Sequence, residues 1–268
     1  MSKPETSPAL YTRVVPLDSN AHGKLSFKPG QGFKFAAQTS SVPIGIVEFG
    51  MAAQSYPILF TNNDEPMPVV LLAHRAGSNL HIQDDGAWRQ GSYIPAYLRA
   101  YPFIFIEDKP NLKLYLGIDA ADEFLTTAEG EALFENGKPA NRVNEALKFC
   151  SAYRDTMAVS REFCAALKEA GVLEPSQAAI NFSGGGGARV DGFQVINKPK
   201  FDALPDERIL AWRKNGWLDL IYAHFFSLGQ WSKLVELAAV SEKGDAKPTK
   251  AGKAKPVADS KDAPPSVH

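Results

Sequence analysis

Two periods organise the hydrophobic positions of this chain. From residue 10 to about 125, apolar residues alternate with polar ones or form short runs, as in YTRVVPL, PVVLLAH, FIFIED and LKLYLGID. Such alternation over about four to eight residues predicts strands. Pro29-Gly30 predicts a turn between the two arms of KLSFKPGQGFKFAA. RAGSN predicts a hairpin between PVVLLAH and LHIQD, and KPN another between FIFIED and LKLYLGID. Twice a short helix-prone piece runs into Tyr-Pro and then an apolar run, at Tyr56-Pro57 and Tyr101-Pro102. Proline pushes the preceding residue out of the helical region, so a helix should end before each pair and a strand begin after it.

The second half changes period. Val143, Leu147, Cys150, Met157, Cys164 and Leu167 recur at spacings of three, four or seven and predict a long amphipathic helix. Asn141 is read as its N-cap and Gly171 as its C-cap, and Pro175 prevents continuation. A hairpin is expected across NFSGGGGARVDGFQVINK, then a helix FDALPDERILAWRKNG with Pro205 in its first turn. In the last helical stretch, Leu218, Ile221, Phe225 and Leu228 line one face, and Gly229 is expected to bend or divide it. The fold class is therefore α+β: a β-rich half, 10–125, packed on helices within 140–240, forming one domain from 10 to 240. Residues 1–9 read as a loose N-terminus. Residues 241–268, rich in Lys, Ala, Pro and Asp, hold too little apolar surface to offset the cost of ordering and read as a disordered tail.

Composition narrows the partners. A net charge of -1 gives no global field favouring nucleic acid or an anionic membrane. The start lacks a charged segment followed by an apolar one, so no secretory signal is expected. The longest apolar runs fall far short of the roughly 20 residues a membrane helix needs, so no membrane insertion is expected. A soluble, cytoplasmic protein follows. Cys150 and Cys164 lie 14 positions apart in one helix. They are separated by about 20 Å along its axis, too far to bridge, and read as small core residues.

Four consecutive glycines, Gly184 to Gly187, invite a phosphate-loop reading, but the spacing fails. Ala188, Arg189 and Val190 follow where a phosphate loop needs Lys and Ser/Thr, and no Gly-x-Gly-x-x-Gly frame fits. The β-prone residues after the run favour a hairpin tip. His74 and His81 flank a loop with Asp84 and Asp85 nearby. They read as solvated loop histidines, no HExxH or facial motif being present to make them metal ligands. His224 falls near the apolar face of its helix and has two readings: a core histidine, or a ligand or proton-transfer group. Glu48, inside IGIVEFGMA, is either an exposed helix residue or a desolvated carboxylate. Glu107, Asp108, Asp119 and Asp122 are scattered near strand ends, and no Gly-x-Ser-x-Gly elbow occurs. Tyr93, Tyr97, Tyr101, Phe103 and Phe105, with Arg99, read as core packing rather than a nucleic-acid stacking surface. No catalytic motif, cofactor or metal is predicted.

Several blocks resemble the SapC family of proteobacterial proteins: SVPIGIVEFGMAAQSYPILF, YIPAYLRAYPF, EGEALFENGKP and above all GFQVINKPKFDALPDERILAWRKNGWLDLIYAHFFSLGQW. The resemblance runs from about Arg13 to about Leu237. It implies a link to surface-layer formation or, through neighbouring genes, to TonB-dependent uptake. A permease role sometimes attached to the family is at odds with the lack of a membrane helix. The leading expectation is an accessory protein acting through a protein partner. The alternative is an enzyme or small-ligand binder using His224 and Glu48, acting with a neighbouring oxygenase or halogenase-like protein.

Overall fold

The structure, a computed structural model, describes residues 10–245 apart from 29, 31, 109, 110, 112, 122, 123, 128 and 182–186. The expectations for residues 1–9, for the tail beyond 245 and for the tip of the glycine run lie outside the described residues. In chain order, β1 (Val14–Pro16), α1 (Ser19–His22) and β2 (Ser26–Phe27) lead to β3 (Ser41–Pro43). A single helical turn, α2 (Phe49–Ala52), precedes β4 (Ile58–Thr61) and β5 (Pro68–Leu71). Helix α3 (Ala96–Ala100) precedes the hairpin β6 (Phe103–Asp108) and β7 (Lys113–Asp119). Four two-residue strands follow: β8 (Leu125–Thr126), β9 (Glu131–Ala132), β10 (Phe134–Glu135) and β11 (Lys138–Pro139). Then come the helix α4 (Asn141–Glu169) and the hairpin β12 (Leu173–Asn181) and β13 (Gly187–Ile196). Helices α5 (Lys198–Asp202), α6 (Asp206–Lys214), α7 (Trp217–Ser227) and α8 (Trp231–Asp245) complete an α+β fold.

The central sheet has the order β12-β13-β4-β5-β3, so a hairpin from the C-terminal half extends a sheet from the N-terminal half. A second sheet, β1-β7-β6, and the smaller pairings β8-β2-β9 and β10-β11 complete the set. The central sheet is covered on both faces, and its strands show why they read as unbroken apolar runs. Ile58, Phe60, Val70 and Leu72 point into the larger core with Phe163 of α4 and Ile221 of α7. Leu59, Leu71 and Ala73 point the other way, into a smaller core closed by Phe193 of β13 and Leu234 and Ala238 of α8. Successive strand residues face opposite sides, so YPILF and VVLLA serve two cores at once.

Both Tyr-Pro boundaries separate a short helix from a strand, as the sequence predicts. Gly229 lies in a 3-10 turn, Leu228–Gln230, that divides α7 from α8. Six local expectations are corrected. LHIQD forms no strand: Leu80 and His81 are both buried, which a strand with one wet face cannot achieve with adjacent residues. The second arm around Pro29-Gly30 is a 3-10 turn, Lys34–Ala36, because Phe33 packs against Trp88 and Phe35 stacks on Tyr101 at 4.1 Å. Helix α4 starts one residue early, with Ala140 as N-cap, and Asn141 bonds Glu145 instead; Leu147 is largely exposed rather than on the core face. FDALPDERILAWRKNG is two helices, the first capped by Asn197, whose side chain accepts from the Lys200 N–H. Helix α8 runs past the expected boundary at residue 241 to Asp245.

Phe163 is the aromatic hub of the larger core, fully buried and in ring contact with Phe49, Phe60 and Trp217. Phe163→Ala is expected to destabilise the domain by about 3–5 kcal/mol, since a cavity is left where four elements meet. Urea unfolding of the variant against wild type measures it; a loss under about 1 kcal/mol would mean that the site collapses freely.

Candidate functional site

His224 sits on α7 with its ring inserted between β4 and β13. Those strands pair only at Phe193↔Thr61 and Gln194↔Phe60. Two more residues in that register would set Ile196 opposite Ile58. There the strands part and the imidazole fills the gap. Its Nδ1–H donates to the Ile58 carbonyl at 2.8 Å, and its Nε2 accepts the Ile196 N–H at 3.1 Å. This assignment fixes the tautomer, because a carbonyl can only accept and an N–H can only donate. Ser227, one turn on, completes the edge: its hydroxyl accepts the Ile58 N–H at 2.9 Å and donates to the His224 carbonyl at 2.6 Å. Both side chains are fully buried. Burial pushes the His224 pKa down to about 4, keeping the ring neutral near pH 7.

Glu48 is also buried, in the 3-10 turn before α2. Its Oε2 accepts the Gly45 N–H at 2.7 Å. Its Oε1 accepts the Ala96 N–H at 2.7 Å and the Tyr93 hydroxyl at 3.0 Å. Arg99 in turn donates to the Tyr93 hydroxyl. The carboxylate thus ties the loop before α2 to the start of α3. The loop approaches α4 so closely that a Cβ at Gly45 would lie 2.3 Å from Thr156 Cγ2. Glu48 and His224 share no hydrogen-bond partner, ring contact or cavity wall among the described residues. Each gives its polar atoms to the chain itself.

The other residues singled out by sequence are also built into the fold. His74 and His81 are buried rather than solvated, which corrects the loop reading. His81 stacks on Trp88 and meets Tyr56 edge-on, and burial, with Lys233 and Arg89 nearby, lowers its pKa to about 3. Cys150 and Cys164 are buried, and burial raises their thiol pKa values to about 11 and about 12, so neither is a ready nucleophile. Asp119 is fully buried and holds the N-terminal strand by accepting the Thr12 and Arg13 N–H groups and the Tyr101 hydroxyl. No group of three or more His, Cys, Asp or Glu able to hold a metal occurs among the described residues.

Among the exposed large apolar residues, four lie on α7 and on α2 with the 3-10 turn before it; α2 packs against α7. Val47 is 75% exposed and Met51, four residues on, 56%; on α7, Tyr222 is 44% and Phe226 78%. A family model for SapC matches residues 17–234. The chain belongs to the SapC family. Among curated proteins and among solved structures, none matches it. In this SapC-family chain these exposed residues lie within two of the blocks that carry the resemblance, at SVPIGIVEFGMA and LIYAHFFSL. Single-face periodicity passed over them. The available signal was different: α7, WLDLIYAHFFS, is apolar nearly all round. A helix of that kind is either wholly buried or covered by a partner.

The neutral His224 makes stability depend on pH. Its folded pKa lies below the ordinary 6.5, so the unfolded chain binds the extra proton. Stability is full above about pH 6.5 and falls as the pH drops toward 4. The stability loss between pH 7 and pH 5, measured by urea unfolding, is expected to be about 2 kcal/mol smaller in His224→Gln than in wild type. Parallel losses would show that His224 is not held neutral in the fold.

Proposed function

We propose that this SapC-family protein is a cytoplasmic accessory protein that docks a protein partner on the α2/α7 face, in service of surface-layer or TonB-dependent uptake systems. The observation that carries the reading is α7: one side inserts His224 and Ser227 into the sheet, and the other leaves Phe226 exposed and Tyr222, in edge contact with Phe201, half-exposed. Isolated exposed apolar residues are ordinary, but clustered large ones on a rigid pair of helices mark an interaction surface. Aromatic residues and methionine are the types that interfaces concentrate. The scaffold beneath is firmly fixed, so the face is presented without an ordering cost. No helix is long and apolar enough to cross a membrane among the described residues, in keeping with a role beside a transport system rather than as its channel. The alternative, an enzyme or ligand binder built on Glu48 and His224, draws no support from that pair, whose polar atoms all hold the chain's own groups.

Affinity capture from native lysate with wild-type and Met51→Asp/Phe226→Asp bait tests the reading. Wild type is expected to retain proteins of uptake or surface assembly that the double variant loses. The variant's own stability should change by only about 0.5 kcal/mol per site, as for exposed positions. Identical captured sets would remove the α2/α7 face from the proposal. A wild type that instead self-associates in light scattering would make the occupant a second copy of the chain and overturn it.

A further inference from the structure

A cavity of about 240 Å³ lies between α3, α4 and β6, apart from the α2/α7 face. Tyr97 of α3, Ile104 and Phe105 of β6 and Met157 of α4 form its walls, completed by the more deeply buried Tyr11 and Cys150. Apolar cavities of about 150 Å³ take up benzene. The larger volume here suits one ring or two fused rings, and it falls below the roughly 300–1,000 Å³ of sites for drug-sized molecules.

The walls offer a ligand no free polar group. The Tyr11 hydroxyl donates to the Phe103 carbonyl at 2.9 Å, and the Leu10 backbone engages the Tyr97 hydroxyl. The Tyr153 hydroxyl has no partner among the described residues, but it is enclosed and presents no surface to the cavity. Burial raises the Cys150 thiol pKa to about 11, so that group stays uncharged near pH 7. Charge is confined to Glu107, Arg154 and Arg161, all exposed at the rim. Arg154 pairs with Asp155 at 2.9 Å and lies over the Phe105 ring. One carboxylate and one guanidinium are left, and they cancel.

These walls select against charge and in favour of ring surface. An ionised group drawn inside would lose its water and gain no partner. An aromatic ring gains more than a saturated one of the same size, because rings packed edge to face, and sulfur at a ring edge, attract beyond the area they bury. Tyr97 and Phe105 supply the rings and Met157 the thioether. We propose that this cavity binds a small uncharged aromatic molecule of one or two fused rings, packed among Tyr97, Phe105 and Met157. The charged residues at the rim take no part in holding it.

Naphthol is a suitable probe. Naphthoate keeps its rings and adds a charge, and decahydronaphthol keeps its hydroxyl and removes the aromaticity. Titration calorimetry on the full chain should show saturable, submillimolar binding of naphthol and binding of the other two weaker by several-fold. Met157→Trp, which fills the space, should weaken naphthol by about tenfold or more. Phe105→Leu should weaken it by about threefold to tenfold, as for a lost aromatic pair. Phe105 is only half-buried, so this variant decides the matter if Met157→Trp fails to fold. Arg161→Gln should leave naphthol binding within about twofold of wild type, since the rim charge does not hold the ring. The proposal is overturned if naphthol fails to bind at millimolar concentration, if naphthoate or decahydronaphthol binds as tightly, if Phe105→Leu binds like wild type, or if Arg161→Gln weakens binding. The Met51→Asp/Phe226→Asp variant should bind naphthol normally, so this test stands or fails separately from partner docking.

Discussion

The imidazole of His224 stands where a backbone hydrogen bond between Ile58 and Ile196 would otherwise form, and most of the architecture depends on that substitution. An antiparallel ladder bonds every second residue to its neighbour, and β4 and β13 keep the register for only two pairs. At the next position the strands separate, leaving Ile58 with a buried N–H and C=O and Ile196 with a buried N–H. Each would cost about 1–3 kcal/mol unpaired. Helix α7 supplies the missing partners from one face: an imidazole that both donates and accepts, and a hydroxyl that accepts. The N-terminal sheet, the C-terminal hairpin and the helical end are thereby locked at one point. Since only the neutral ring can donate on one side and accept on the other, the joint also sets a protonation state.

That joint fixes the orientation of α7, and the orientation decides what the helix shows to solvent. With Ile221, His224 and Ser227 turned to the sheet, Tyr222 and Phe226 are left outward whatever their hydrophobicity. Glu48 plays the corresponding part at the other helix of the face. Its two oxygens take the Gly45 and Ala96 N–H groups and seat the turn before α2 against α3. Val47 and Met51 then point away from the core. The two polar residues that looked most like chemistry are the clamps that position an apolar surface. In the aromatic segment between Tyr93 and Phe105, Tyr101 and Phe103 are buried, and Phe103 joins Tyr97 and Phe105 in walling the cavity beside α4.

Strands and helices were legible wherever burial follows one regular face. The hairpin of β6 and β7, the strands after both Tyr-Pro pairs, the hairpin after α4 and the break at Gly229 all follow from local rules. Failures came where tertiary contacts overrode them. Phe33 and Phe35 alternate like a strand, but each finds a ring to pack on and the chain turns instead. Leu80 and His81 are adjacent and both buried, a pattern no half-exposed strand gives. His74 and His81 looked solvated because polar residues surround them in sequence, whereas Trp88 and Tyr56 cover His81 in space.

The sequence by itself determined the α+β class, the order of the principal elements, the pairing of β12 with β13 as a hairpin and membership of the SapC family. These rest on periodicity, proline and glycine geometry and blocks of residues read in one dimension. Only the tertiary structure decided what His224, Glu48 and Tyr153 do. Ile58 and Ile196 are 138 positions apart, and no local pattern reveals that a ladder opens between them or that a histidine on a third element closes it. Nor can a local pattern distinguish a satisfied hydroxyl from an orphaned one. The Tyr11 hydroxyl meets the Phe103 carbonyl, whereas the buried Tyr153 hydroxyl meets no partner among the described residues.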